Sequence, residues 1–364
     1  MADEAITHGR GARTLLALAC LVILIAGLKA ASGLLLPILV AVFLSLLCIP
    51  PMNRLQEMRL PDWLAITIVI SGATLVVLVL TLILAESVSD FQSRIPHYRQ
   101  RLDSIINDGI AWLNARGLEV KRKDLFGKSN PGELMNQAAD GMKALLSILS
   151  NVLLVVLTMV FILFEANSFK TKMTHAFGDD SDLSDFDVMT NRIRKYLAIK
   201  TWVSFGTGAL AGLLCWATGV DFPWVWALVA FLFNFVPNIG SVLAAVLPVT
   251  LALLDRGVGT AIVVGSGYAA INLVIGNLLE PKLMGRRLGL STLVVFLSLL
   301  FWGWVWGPVG MLLSVPLTVI VKIALEHSDD FRWVAVMLGP SPDADAAASS
   351  ADRQDSPPVV PDQS

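Results

Sequence analysis

The composition of the 364-residue chain is too apolar for a soluble protein. Hydrophobic residues (Ala, Val, Ile, Leu, Met, Phe, Trp, Tyr and Cys) make up 55% of it, and charged residues only 15%. The mean hydropathy is +0.70. A typical globular chain carries about 25% charged residues. A chain of this length cannot bury so much apolar surface, so the sequence predicts an all-α integral membrane protein in contact with lipid. The formal net charge of −2 gives no sign of a basic surface for nucleic acid.

The N-terminal quarter contains three apolar runs after a polar, cytoplasmic tail of residues 1–13. The runs cover residues 14–28, 34–49 and 63–85. The first two predict a helical pair that turns at residues 29–33, with a loop from residue 50 to residue 62. A cleaved signal peptide is the alternative for the first run. The third run is long enough to cross about 30 Å of hydrocarbon.

A polar insert, residues 86–146, separates these spans from the membrane domain, residues 147–338. Apolar side chains recur in it at intervals of three and four: Phe91, Ile95, Tyr98, Leu102, Ile105, Gly109 and Trp112. This pattern predicts an amphipathic helix with a heptad-like seam. The seam could pack on the same chain, on a neighbouring subunit or on the membrane surface. Asn130 and Pro131 predict the start of a second helix, which leads into the fourth span, residues 147–164.

A fifth apolar run, residues 201–218, follows a polar stretch that ends at Lys200. Its glycines, among them Gly208 and Gly212, favour close packing with a neighbouring helix. Two further runs, residues 223–254 and 288–323, are too long for one straight span. As single helices they would measure about 48 and 54 Å, against a hydrocarbon core of about 30 Å.

Each long run contains a helix-breaking motif near its middle. The break residues are Pro237 and Gly240 in the first run, and Gly307, Pro308, Gly310 and Pro316 in the second. Pro removes a backbone donor and Gly adds freedom, so the helices should bend or turn back there. Paired interrupted segments of this kind point to a transporter's substrate site. Re-entrant hairpins and kinked single spans are both compatible with these breaks. Replacing Pro237 and Gly240 by alanine should be tolerated, because alanine has a higher helix propensity.

Basic residues give the expected orientation through the positive-inside rule. Arg10, Arg13 and the basic residues of 170–195 lie on one side if the first four spans cross in turn, which makes that side cytoplasmic. The insert is then extracytoplasmic. Hairpins at both breaks would keep Lys282 and both termini cytoplasmic. The tail, residues 339–364, has a disordered composition.

Polar side chains inside the apolar segments are the candidate substrate-path residues. They are Asn234, Asn238, Asn272, Asn277 and Glu280. An amide both donates and accepts hydrogen bonds, which suits a neutral, polyhydroxylated solute. Bonds between helices are the alternative role for the amides. An ion pair with Arg286 or Arg287 is the alternative role for Glu280.

Neither a catalytic site nor a cofactor or metal site is predicted. The histidines lie outside the apolar runs, the three cysteines lie inside them, and the chain lacks H-E-x-x-H and G-x-S-x-G motifs. A transporter is therefore favoured over a membrane enzyme. An oligomeric membrane scaffold stays open, because the insert seam and the membrane helices could join identical subunits. The expected partners are the lipid bilayer, a small solute and further copies of the chain.

Three stretches resemble the autoinducer-2 exporter family of bacterial membrane proteins. They are FVPNIGS at 235–241, NLLEPKLMG at 277–285 and WGWVWGPVGMLLSVP at 302–316. The resemblance covers about residues 14–338. It implies about eight apolar segments in the bacterial inner membrane and export of a small furanone-type signal, or else sodium–proton exchange. Asn238 stands where an aromatic residue is common in the family motif.

Overall fold

The computed structural model describes residues 10–119, 136, 139–141, 143, 152–177, 182–237, 239–284, 289–326, 328 and 331–339. Its regular elements are all helical, which confirms the predicted all-α fold. In chain order they are α1 (Arg10–Ala30), α2 (Ser32–Glu57), α3 (Asp62–Asn114), α4 (Val152–Phe177), α5 (Asp182–Thr218), α6 (Pro223–Phe233), α7 (Gly240–Arg256), α8 (Val258–Ile271), a π-helical segment (Asn272–Leu279), α9 (Glu280–Met284), α10 (Thr292–Glu326) and α11 (Arg332–Met337).

The described helices are long and apolar enough for a multi-pass membrane protein. Five of them qualify as spans by length and composition: Ser32–Glu57, Asp62–Asn114, Ile193–Thr218, Val258–Leu283 and Thr292–Glu326. Shorter apolar helices cover Leu18–Ala30, Leu153–Glu165 and Pro223–Phe233. Large side chains such as Leu75, Leu153 and Trp202 are exposed on these helices, where lipid would cover them.

Two predicted loops near the N-terminus are largely helical. A single residue, Ala31, separates α1 from α2, in place of the expected five-residue turn. The loop predicted from residue 50 is wrong, because α2 continues through Pro50 and Pro51 to Glu57. A proline removes only its own backbone donor. Beyond the two prolines, Met52 is buried against residues of α3 and α4, and this packing favours the continued helix.

Helix α3 joins the third span and the insert helix without a break. Its 53 residues extend about 80 Å, far more than the hydrocarbon thickness. The first half of the predicted seam packs within the chain: Phe91 and Tyr98 are buried in the same apolar cluster as Trp226 of α6. Trp112, in the second half, is exposed. The start predicted at Asn130 lies outside the described residues, whereas residues 136, 139–141 and 143 of the helix expected to follow it are described and helical.

The first long run folds back as a hairpin, formed by α6 and α7. A Cβ atom placed on Gly240 would lie 1.8 Å from the carbonyl oxygen of Phe233, so the two arms approach backbone to backbone. Asp221 precedes the hairpin and Asp255 ends it, and both carboxylates contact the same part of α3. The chain therefore enters and leaves the first hairpin at one end of the molecule.

The second long run, α10, also folds back. Gly307 interrupts it with φ +65° and ψ −148°. Trp302 Nε1 donates a hydrogen bond of 3.0 Å to Thr318 Oγ1, although a straight helix would separate these residues by about 24 Å. Lys322 Nζ donates to the carbonyl oxygen of Gly289, which brings the two ends of this second hairpin together. At its tip, Trp306 Nε1 donates to the carbonyl oxygen of Leu28 in α1.

The two hairpins enter from opposite ends of the protein. Between them lies the nearly continuous helix formed by α8, the π-helical segment and α9, residues 258–284, which is about 40 Å long. The first hairpin ends where this helix begins, and the second begins just beyond its other end. Opposed interrupted helices are an arrangement known from transporters with inverted repeats.

A cluster that we call the α3 clamp holds both ends of the first hairpin. Arg94 and Tyr98 donate to the Asp221 carboxylate at 2.6 and 2.8 Å, and His97 Nε2 lies 3.4 Å from Asp255 Oδ1. Asp221 is therefore an ion-pair partner and not the N-cap of α6, which is Phe222. Burial, and then the Asp221 charge, raise the pKa of Asp255 above its ordinary value.

Gly240→Ala should destabilise the protein, contrary to the expectation from helix propensity. The added Cβ would meet the Phe233 carbonyl, and overpacking of this kind costs about 1–3 kcal/mol. We expect a lower thermal midpoint in detergent. Gly265→Ala is the matched control, because its Cβ would meet nothing closer than 3.8 Å. Equal midpoints for the two variants would contradict the hairpin geometry.

The α3 clamp should weaken as the pH rises. Because the folded-state pKa of Asp255 is raised, its stabilising contribution is present below the ordinary aspartate range and is lost as the pH rises through the raised pKa. Asp255→Asn keeps a neutral group at every pH, so the thermal midpoint of this variant should decline less with pH. His97→Gln leaves the two carboxyls in place and removes a group that lowers the pKa of Asp255, so its midpoint should decline with pH at least as much as that of the wild type. A wild-type profile for Asp255→Asn would contradict this assignment.

Candidate functional site

A polar cavity of about 330 Å³ lies where the tip of the first hairpin meets α5 and the π-helical segment. Its lining residues are Lys200, Asn234, Val236, Pro237, Ser241, Asn272, Gly276, Asn277 and Glu280. The structure thus brings together four of the five predicted substrate-path residues and Pro237 from one of the two breaks. The fifth, Asn238, lies outside the described residues.

The π-helical segment places two amides along one wall of the cavity. Asn272 and Asn277 are five residues apart, a spacing that turns side chains about 140° away from each other on an α-helix. The i→i+5 bonding of a π-helix brings this spacing onto one face, and π-helices are frequent at functional sites. Gly276 keeps the wall open, since a Cβ there would lie 2.8 Å from Asn272 Oδ1. A π-helix was not among the elements predicted from the sequence.

Asn234 connects the hairpin tip to α5. Its Nδ2 donates a hydrogen bond of 2.9 Å to Ser204 Oγ, and both side chains are buried. The α5 and α6 helices approach closely here, because a Cβ on Gly208 would lie 2.6 Å from the Ala227 carbonyl oxygen. This confirms the predicted packing role of the α5 glycines. Asn234 therefore forms the interhelical bond that was the alternative to solute contact, at the edge of the cavity.

A buried ion pair closes one side of the cavity. Lys200 Nζ lies 2.5 Å from Glu280 Oε1, and the two side chains are 5% and 18% exposed. The expected partners of Glu280, Arg286 and Arg287, lie outside the described residues. Lys200 was not among the predicted site residues, because it ends a polar stretch that was expected to lie outside the membrane. Helix α5 instead begins at Asp182 and buries the last part of that stretch.

The spacing of Lys200 was a signal that could have identified it. Tyr196, Lys200 and Ser204 are four residues apart and share one face of α5, and all three are buried. A lysine on a buried face needs a partner of opposite charge. Glu280 is a carboxylate at the end of another apolar segment, so an ion pair between Lys200 and Glu280 could have been predicted.

The other predicted break residues do not line this cavity. Gly240 is buried behind the first tip, and the second-break residues Gly307, Pro308, Gly310 and Pro316 form the second hairpin. There the rings of Trp302 and Trp306 stack at 4.9 Å. In the part of the chain that the structure describes, no three His, Cys, Asp or Glu side chains are grouped as a metal site would require.

Comparison with known proteins shows the family. Residues 18–330 match the profile of the AI-2E family transporters. The chain belongs to this family. A transport protein of Haemophilus influenzae is 38% identical over 334 residues, 90% of this chain and 96% of the relative. AI-2 transport protein TqsA of Escherichia coli is 36% identical over 329 residues, again 90% and 96%.

A second relative from Escherichia coli, transport protein YhhT, is 37% identical over 331 residues, 91% of this chain and 95% of YhhT. These matches extend over nearly the whole chain, so both hairpins and the cavity lie within the shared region. The relatives are named as transport proteins, and an AI-2E family member with these helices is a multi-pass membrane protein.

Asn234→Ala should lower stability, because it leaves the Ser204 hydroxyl without its partner. Loss of one such buried bond costs about 1 kcal/mol, and interhelical bonds in membranes are in the same range. The thermal midpoint in detergent should fall for Asn234→Ala and much less for Asn277→Ala, since Asn277 is exposed. The opposite order would show that the Asn234–Ser204 bond does not support the hairpin tip.

Proposed function

We propose that this AI-2E family transporter exports a small, neutral, polyhydroxylated solute, such as an autoinducer-2-like furanone, across the bacterial inner membrane. The amide-lined cavity at the tip of the first hairpin is the observation that carries the proposal. Asn272 and Asn277 can each donate to and accept from hydroxyl groups. The relative named as an AI-2 transport protein supports this class of solute.

The proposed orientation has both termini in the cytoplasm and the insert outside. Asp221, next to the end of α5, contacts the part of α3 that extends into the insert. Lys200 lies 18 residues before Thr218, about 27 Å along α5 from that end. The cavity then lies toward the cytoplasmic side, where a solute to be exported would enter.

Opposed hairpins suit alternating access to such a cavity. Irregular backbone at membrane depth is tolerated where it is buried in protein or lines a water-filled space. Movement of the first hairpin tip against α5 and the π-helical segment would open or close the cavity. The exposed seam residues Ile105 and Trp112 remain available for contact between identical subunits, which we include in the proposal.

Gly276→Ala should reduce transport without unfolding the protein. The new Cβ would displace the Asn272 amide, which is the movable end of a side chain, so the fold should tolerate it. In proteoliposomes we expect efflux of hydroxylated furanones and small polyols by the wild type, and clearly slower efflux by Gly276→Ala. Gly265→Ala, a glycine away from the cavity, should keep the wild-type rate.

The same vesicles test the competing functions. Sodium-driven proton movement without any solute flux would support a cation–proton antiporter. Absence of any flux from folded wild-type protein would support a membrane scaffold. Wild-type flux in Gly276→Ala, at equal protein content, would show that the solute does not pass this cavity.

A further inference from the structure

The cavity is lined by one buried positive charge and one partly buried negative charge, and they compensate each other. Lys200 comes from α5, and Glu280 is the first residue of α9, 80 positions along the chain. Their direct contact, at 2.5 Å, fixes both side chains at the edge of the cavity. The other lining residues that the structure identifies are uncharged, so the cavity has no net formal charge.

Charge compensation at this depth decides which solutes the cavity accepts. Removing one member of a buried pair leaves an uncompensated charge, which is strongly unfavourable unless a counter-ion enters. At short range and in low dielectric, one unit charge attracts or repels an ionic solute far more strongly than it would in bulk water. An ion that enters the intact cavity gains attraction from one member of the pair and meets repulsion from the other.

We infer that the Lys200–Glu280 pair is the specificity determinant that restricts the cavity to solutes without net charge. The inference rests on the proposed transport function and adds the residues that select the solute class. Lys200 presents ammonium hydrogens and Glu280 presents carboxylate oxygens, so vicinal hydroxyl groups can bond to both. Breaking the compensation in either direction should admit the ion of opposite sign to the charge that remains.

The test uses three solutes of similar size and different charge: ribitol, ribonate and 1-amino-1-deoxyribitol. Wild-type protein in proteoliposomes should carry ribitol and exclude both ions. Lys200→Met leaves the Glu280 carboxylate and should raise aminoribitol flux relative to ribonate flux by about tenfold or more. Glu280→Gln leaves the Lys200 ammonium and should shift the ratio by about tenfold or more the other way.

Two further variants keep the test decisive if a single substitution prevents folding. The double variant Lys200→Met with Glu280→Gln restores a neutral cavity, and so does the exchanged pair Lys200→Glu with Glu280→Lys. Either variant, once folded, should again prefer ribitol over both ions. Ion flux through a folded, charge-balanced variant would overturn the inference.

The outcomes separate this inference from the proposed function. If the wild type carries ribitol and the single variants keep its solute preference, the inference is wrong and the transport function stands. The inference is equally wrong if both single variants favour the same ion. If the folded wild type carries none of the neutral solutes, the proposed function fails, and the inference fails with it.

Discussion

Close approach of backbone to backbone at the two hairpin tips is the constraint on which the rest of the structure depends. At Gly240 and at Gly310, a Cβ atom would lie 1.8 and 2.0 Å from a carbonyl oxygen of the opposite arm, that of Phe233 or Trp302. Only a residue without a side chain fits such a position. The two glycines therefore allow runs that are too long for a single span to fold back within the protein.

Turning the chain inside the bilayer creates polar groups that need partners, and these partners determine where the site forms. Exposed backbone donors and acceptors cannot face lipid, so each tip must be covered by other helices or by water. Helix α5 covers the first tip through the Asn234–Ser204 bond, and α1 covers the second through the Trp306–Leu28 bond. The cavity lies at the first tip, where polar side chains from three elements converge.

The sequence locates the two breaks better than it predicts the helix ends. Each of the two apolar runs is longer than the bilayer is thick, and Pro237 and Gly310 mark where each run can break. Both breaks can be located in this way, because chain length and the steric effects of Pro and Gly are local properties of the sequence. The ends of α2, α3 and α5 were missed, because side-chain polarity reports contact with water and not backbone conformation. In α5, polar residues continue as helix, and the last of them turn inward.

The candidate site is less predictable, because it depends on contacts between distant residues. Asn234, Asn272 and Glu280 stand out as polar groups in apolar segments. Their convergence requires the hairpin, and the pairing of Glu280 with Lys200 joins residues 80 positions apart. The π-helix is equally hidden, since nothing in the residues 272–279 distinguishes it from an α-helix.

The two hairpins share one construction and differ in what occupies their tips. The first tip presents Asn234 and Ser241 to a polar cavity, whereas at the second the stacked rings of Trp302 and Trp306 occupy the space. Trp302 also bonds to Thr318, which satisfies its indole donor and ties the two arms together. A tip filled by packed aromatic rings has little room for solute. The polar first hairpin is therefore the one suited to solute binding, and the second is an apolar support against which α1 and α2 pack.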